Sequence, residues 1–325
     1  MPAPQSKLGV IAKILFGAAI FAWMAWSGKL DLAQVGKAIA QWPLMLTIIV
    51  LGYGQLAITA WRWNLLLRAQ QIHLSFARAW GLMMIGMLFN IVVPGAVGGD
   101  LIKGYYITRA APSRKSHAAT SVLMDRLVGL IGLLLLGAVM ALANWHETLR
   151  SPATRSLGTL TVGGFLAGLA GLYVALLAGS RLAASHVLPK LLRGVFRALH
   201  EYRRQAAVIP IALALSVFNQ TLSFVMYYLA LQATGVTDLP MSQFFLIVPL
   251  GLVTSAIPIS PAGVGVGQAA FFALFRIVAP AYATAGAEAV TVCQLMFILV
   301  CLSGLYWYIS YKHTAVEAAA DSGVI

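Results

Sequence analysis

Five ionisable residues stand where the surrounding sequence gives them no ordinary reason to be. Arg62 sits between two tryptophans near the end of a long apolar run, Asp100 and Lys103 follow a glycine- and proline-rich break, and Asp125 and Arg126 lie about two turns inside another apolar run. The chain has 325 residues, 60% of them hydrophobic and 10% charged, with a mean hydropathy of +0.86. Several long apolar runs in such a composition define a polytopic α-helical membrane protein. At the centre of a membrane helix an Asp or Arg costs about 2.5–3.5 kcal/mol on insertion scales, so each one marks a partner or a function. Asp125 and Arg126 are neighbours in sequence and point about 100° apart on a helix. Each therefore reaches another element, Arg126 towards Asp100 and Asp125 towards Lys103 or Arg62. Two roles fit such a cluster: buried ion pairs that hold elements together, or a cationic site that recognises an anion. The two can coexist.

The elements that position these residues are broken ones. Asn90 to Lys103 follows a smooth apolar run (Gly81 to Phe89) and interrupts it with Pro94, Gly95, Gly98 and Gly99. At membrane depth, non-helical backbone survives only where protein or a water-filled cavity satisfies its polar groups. A second break, Pro261-Ala-Gly-Val-Gly-Val-Gly-Gln268, follows another apolar run at an offset of 261 − 94 = 167 residues, about half the chain. Paired Gly/Pro interruptions in corresponding halves point to a transporter's midplane site. Gly98 and Gly99 leave backbone N–H groups at the start of the return arm, and a helix N-terminus suits an anion. Gly263, Gly265 and Gln268 carry no formal charge, and close helix packing accounts for them about as well as ligand contact.

In chain order, the expected full spans are Leu8 to Ser27, Leu44 to Leu67, His117 to Ala143, Leu157 to Ala178, Ala206 to Leu231 and Ala287 to Tyr311. Gly28 to Pro43 reads as a short interfacial helix, and Trp61 and Trp63 as interfacial anchors. Ser180 to Gln205 reads as a basic amphipathic helix on an anionic membrane surface, with Val187, Leu188, Leu191, Leu192, Val195, Phe196 and Leu199 on its apolar side. Trp80 to Val93 and Gly95 to Thr108 are each too short to cross a bilayer of about 30 Å with ease. They form either one kinked span or a re-entrant hairpin. The hairpin puts Arg62, Arg68 and Arg78 on the same side as Arg109, Arg114 and Lys115, as the positive-inside bias prefers. Phe244 to Ile257 and Gly263 to Phe275 make the second such pair. The expected fold class is an all-α polytopic membrane protein in one membrane domain, with two inverted repeats (1–150 and 151–315), about six full spans, two re-entrant helical hairpins and a short tail (316–325). Both termini fall in the cytoplasm, and Lys7 and Lys13 flank a retained first span rather than a signal peptide.

Several functions are excluded by pattern. The net charge of +13 is concentrated in short loops between apolar runs, which is the signature of cytoplasmic membrane loops and not of a nucleic-acid surface. Cys293 and Cys301 share one apolar run and imply no disulfide framework. The six histidines (His73, His117, His146, His186, His200, His313) lack metal-ligand spacing, and no nucleophile elbow or P-loop is present. No catalytic residue, metal or cofactor is expected.

Arg62-Trp63, then Asn90 with Pro94, Gly98, Gly99, Asp100 and Lys103, then Ser121-Val-Leu-Met-Asp125-Arg126 with Gly129, and finally Pro261, Gly263 and Gly265 together carry a resemblance. Over nearly its whole length the chain resembles the flippase-like membrane family shared with the transmembrane part of bacterial lysylphosphatidylglycerol synthases. The resemblance implies an integral inner-membrane protein that moves or binds a lipid, in pathways of aminoacylated phosphatidylglycerol, hopanoid-related lipids or glycolipids. The synthases' cytoplasmic aminoacyl-transferase domain has no counterpart in this sequence, so no enzyme activity is expected. Two positions depart from the family pattern: Gln268 stands where a glutamate is expected and Gln294 where an arginine is expected. Losing both charges together keeps the site neutral and implies that the two face each other.

The expected function is an inner-membrane lipid flippase or lipid-binding carrier for an anionic phospholipid or a polyprenyl-phosphate-type lipid. Membrane lipids are its partners, and Arg62, Asn90, Gly98, Gly99, Asp100, Lys103, Asp125, Arg126, Gly263, Gly265, Gln268 and Gln294 are the substrate-binding candidates. The alternatives are a secondary transporter of a small polar solute, with proton coupling through Asp100 or Asp125, and a membrane scaffold for a lipid-modifying enzyme encoded elsewhere.

Overall fold

Apolar runs become helices because a backbone in hydrocarbon has to satisfy its own N–H and C=O groups. The computed structural model describes residues 7–92, 98–184, 190–205, 207–255, 260 and 263–310, and no strand occurs among them. The first half contains α1 (Lys7–Trp26), α2 (Leu32–Ile39), α3 (Trp42–Ala69), α4 (Phe76–Val92), α5 (Gly98–Ala110) and α6 (Lys115–Ala143). A short α7 (Trp145–Leu149) leads to α8 (Pro152–Ala184), α9 (Lys190–Glu201), α10 (Val208–Ala233), α11 (Met241–Ser255), α12 (Val266–Val278) and α13 (Ala283–Leu302). Five helices among the described residues, α3, α6, α8, α10 and α13, are long and apolar enough to cross a membrane, the last within an apolar stretch that runs to Ser310. The expected first span, α1, is not among those five; its 20 residues extend about 30 Å. The order long helix, short helix, long helix, two short helices, long helix occurs twice.

Caps explain where the boundaries differ from those read in the sequence. Helix α4 starts at Phe76 and not Trp80, because the Ser75 hydroxyl accepts from Arg78 N at 3.3 Å. Likewise α8 starts at Pro152, where Ser151 Oγ accepts from Thr154 N at 3.1 Å, and proline suits the first turn. Asp31 caps α2 through Ala33 N and Gln34 N. Gln34 and Gln41 then donate to the carbonyls of Thr234 and Ala233, fastening α2 to the C-terminal end of α10.

The two pairs of short helices settle the geometry that matters most for the site. In the first, α4 packs against α5 so closely that a Cβ on Gly99 would overlap the carbonyl oxygen of Gly86. The segments flanking the pair meet: Arg114 Nη1 donates to Gln70 O at 3.1 Å. The segment after α5 thus touches the C-terminal end of α3. In the second pair, Gly251 of α11 lies against the ring of Phe271 of α12. Gln243 near the start of α11 and Ile277 to Tyr282 at and beyond the end of α12 line a cavity of about 430 Å³ together with Glu147 and Arg150, at the far end of α6. Pro94, Gly95, Pro258 and Pro261 lie outside the described residues, as do residues 311–325 with the expected tail.

Helix α9 packs part of its apolar side against the bundle. Leu199 is buried, and Val195 and Phe196 pack with it against Leu172 of α8, Leu66 of α3 and Ala212 of α10. Three polar contacts hold the segment down: Gln70 Nε2 to Ala198 O at 2.9 Å, His117 Nε2 with Glu201 at 2.9 Å and Tyr202 OH to Leu66 O at 3.1 Å. This part of its apolar side faces the bundle, because the last turns of α8 bring an apolar wall within reach. Arg197, Arg203 and Arg204 stay exposed. Val187 and Leu188 lie outside the described residues.

Candidate functional site

The buried part of α6 is where three other helices converge. Asp125 lies ten residues into α6, about 15 Å along it, and is 3% exposed. Its carboxylate accepts from Arg62 Nε of α3 at 2.8 Å and from Lys103 Nζ of α5 at 3.2 Å. Arg62 Nη1 donates onward to Ser216 Oγ of α10 at 2.8 Å. One residue along α6, Arg126 pairs with Asp100 of α5. Lys103 Nζ stands 4.0 Å from Asp100, between the two carboxylates. Arg126 meets Asp100 as expected, and Asp125 meets both of the partners offered as alternatives, Lys103 and Arg62.

Exposure divides the cluster into an inner and an outer part. The side chains of Arg62, Lys103 and Asp125 are 3–6% exposed, whereas that of Asp100 is 18% and that of Arg126 is 45% exposed. Counted formally, three cations face two carboxylates, leaving one positive charge in excess. The inner pair is poor glue: taking both ions out of water offsets most of their attraction, and apolar residues of the same volume often serve as well. Its arrangement specifies where a cation is held. An ideal Cβ on Gly129 would lie 3.3 Å from Arg62 Nη2, so glycine there lets the guanidinium rest on α6.

Two members were not among the candidates. Ser216 accepts from Arg62; its only signal is its place three residues before Asn219 on α10. Trp63, expected as an interfacial anchor, is fully buried, while Trp61 is 53% exposed as expected. The indole of Trp63 donates to Ser121 Oγ at 3.2 Å and carries Lys103 Nζ 4.5 Å from its ring centroid. A tryptophan with its N–H satisfied and a cation on its face is stable at depth.

At the start of α5 the backbone is less available than the sequence suggests. Gly98 and Gly99 are buried, and Gly99 N already donates to Asn90 Oδ1 at 2.8 Å. Asn90 is therefore a clamp on the first turn of α5. The remaining candidates form a second group on α12 and α13. Gln268 is fully buried; its Nε2 donates to Gln294 Oε1 at 2.6 Å and to Thr291 Oγ1 at 3.2 Å, and its Oε1 accepts from Gly265 N at 2.8 Å. The two glutamines do face each other. Gly263 and Gly265 have φ of +72° and +80°, which residues with a Cβ rarely adopt, so the backbone itself demands glycine at both. Among the described residues no group of three His, Cys, Asp or Glu could hold a metal ion.

Membrane-length helices packed around a buried, internally paired charge cluster define a polytopic membrane protein. Over residues 10–302 the sequence matches the family described as lysylphosphatidylglycerol synthase TM region, and the chain belongs to that family. The matched stretch contains every candidate residue from Arg62 to Gln294 and relates the protein to lipid metabolism. Neither a curated protein nor a solved structure matches the chain.

Proposed function

We propose that the protein is a lipid flippase or lipid-binding carrier of the inner membrane, acting on an anionic phospholipid or a polyprenyl-phosphate-type lipid, and that it is not an enzyme. One observation carries this reading: Arg62, Lys103 and Arg126 are gathered with Asp100 and Asp125 among membrane-length helices, with one positive charge in excess. In the empty site the carboxylates occupy the cations. An incoming phosphate displaces Asp100 from Arg126, the accessible member, whose planar fork donates to two phosphate oxygens at once. Lys103, already poised between the two carboxylates, follows the displaced charge, while Asp125 keeps Arg62 in place.

Movement across the membrane is assigned to the two short-helix pairs, read as re-entrant hairpins from opposite sides, with 1–150 and 151–315 as inverted repeats. The recurring element order supports this, as does the way the pairs open towards opposite ends of α6. The end carrying Arg68, Arg109, Arg114, Arg197, Arg203 and Arg204 is taken as cytoplasmic, and both termini with it.

The test is a headgroup-accessibility assay in reconstituted vesicles, with anionic and zwitterionic lipids side by side. Wild-type protein should move anionic lipid faster than protein-free vesicles do, and Arg126→Gln should abolish the difference. Equal rates for Arg126→Gln and wild type would make the cluster structural and refute the reading.

A further inference from the structure

The charged cluster has a neutral continuation. On α3, Gln55, Thr59 and Arg62 are spaced four and three residues apart, and on α10 Ser216, Asn219, Gln220 and Ser223 share one face in the same way. These two faces meet. Beyond the Arg62–Ser216 bond, Gln55 Nε2 donates to the backbone carbonyl of Asn219 at 3.0 Å and to Ser223 Oγ, and Ser223 Oγ donates to Gln220 Oε1 at 3.4 Å. Gln55 is the fourteenth of 28 residues in α3 and Asn219 the twelfth of 26 in α10, so the polar groups sit at the middle of both helices. The opposite stripe of α10, with Ile211, Phe218 and Val225, is apolar and exposed, as a lipid-facing side should be.

Helix glue does not account for this seam. Hydrogen bonds between membrane helices are individually weak. Here Oδ1 of Asn219 is buried without a protein hydrogen-bond partner, and an amide oxygen left unpaired costs more than one such bond contributes. The seam residues Gln55, Asn219, Gln220 and Ser223 also keep partial exposure, while Phe224, Met226 and Ala230 of the same helix are buried.

We propose that this α3/α10 seam is a neutral headgroup-binding track, leading from the Arg62 cluster to the bilayer midplane, in which Asn219 Oδ1 accepts a hydrogen bond from the headgroup or from water it carries. The proposal rests on the lipid-carrier reading and deepens it. Neutral hydrogen-bonding groups replace hydration while holding the ligand weakly enough to release it; a further charge at the midplane would trap a phosphate.

Purified protein in phospholipid vesicles is photo-crosslinked with two probes, one with a diazirine on the phospholipid headgroup and one with it on an acyl chain. The headgroup probe should mark Gln55, Asn219 and Ser223 over Phe218 by about fivefold, the factor that one modest interaction makes in an equilibrium. The acyl probe should mark Phe218 and Val225 instead. Headgroup labelling of Asn219 no greater than that of Phe218 overturns the proposal. Asn219→Leu should keep or raise the unfolding midpoint and lose headgroup labelling at Ser223; a lowered midpoint with labelling unchanged makes the seam glue and overturns it as well. Lipid movement is read separately in the same vesicles. Labelling of the seam without movement refutes the flippase reading and leaves the track standing as a lipid-binding site, whereas movement without labelling refutes the track alone.

Discussion

Asp125 accepts a hydrogen bond from Arg62 at 2.8 Å across 63 residues of sequence, and with Lys103 on its other oxygen it ties α3, α5 and α6 at one buried point. The consequence is asymmetric. Asp125→Asn leaves buried Arg62 without its counter-charge and Lys103 with only the 4.0 Å contact to Asp100, and breaking such a buried pair costs about 3–5 kcal/mol. Arg62→Met leaves Asp125 with Lys103 and should cost less. Unfolding of the purified protein in detergent gives the comparison, and an Asp125→Asn midpoint equal to wild type would show that the inner pair bears no stability.

Gly99 faces the carbonyl of Gly86, and a Cβ there would also lie 2.6 Å from Asn90 Oδ1. Even Gly99→Ala should therefore push α5 off α4 and break the Asn90 clamp. The expected outcome is a protein that inserts, unfolds at a lower midpoint and gains protease sensitivity between α4 and α5. Wild-type behaviour of Gly99→Ala would mean that the two backbones do not pack this closely.

The charged half of the site was legible for a physical reason. Adjacent ionisable residues on a helix cannot face the same partner, so Asp125 and Arg126 had to be answered from elsewhere, and few charges lay within the apolar part of the chain. Ser216 was not legible, because a serine satisfies itself by bonding its own helix, here Ala212 O at 2.8 Å, and leaves no mark in the apolar pattern. Trp63 and the stripe of α9 were read against lipid because amphipathic signals name an apolar partner without saying whether it is membrane or protein. The contact of Gln268 with Gln294 came only through the family resemblance; neither residue's spacing pointed to the other.

The contact of Arg114 with Gln70 brings the two flanks of α4–α5 together. Single cysteines at Arg68 and Arg109, both exposed, should therefore label from the same side of sealed vesicles with a membrane-impermeant thiol reagent, after Cys293 and Cys301 are replaced by alanine. Labelling from opposite sides would make α4 and α5 a single kinked span and remove the basis for two inverted repeats.

Gln268 and Gln294 offer a test of whether a neutral pair has replaced a charged one at the same place. Gln268 donates to Gln294 at 2.6 Å and to Thr291, while its own oxygen holds Gly265 N at the left-handed start of α12. Gln268→Glu alone keeps an acceptor for Gly265 N but deletes the donor that Gln294 and Thr291 use, and it places a carboxylate in a fully buried position. Gln294→Arg alone brings a cation with no carboxylate at position 268 to meet it. Each single change should lower the unfolding midpoint. Together they supply the charged pair that the family pattern leads one to expect, and charge pairs in close contact show coupling of about 1.5 kcal/mol or more in double-mutant cycles. The double variant should therefore unfold well above the level that adding the two single losses would give. Strictly additive losses would mean that positions 268 and 294 are not in contact, and the neutral pair would lose its interpretation as a matched replacement.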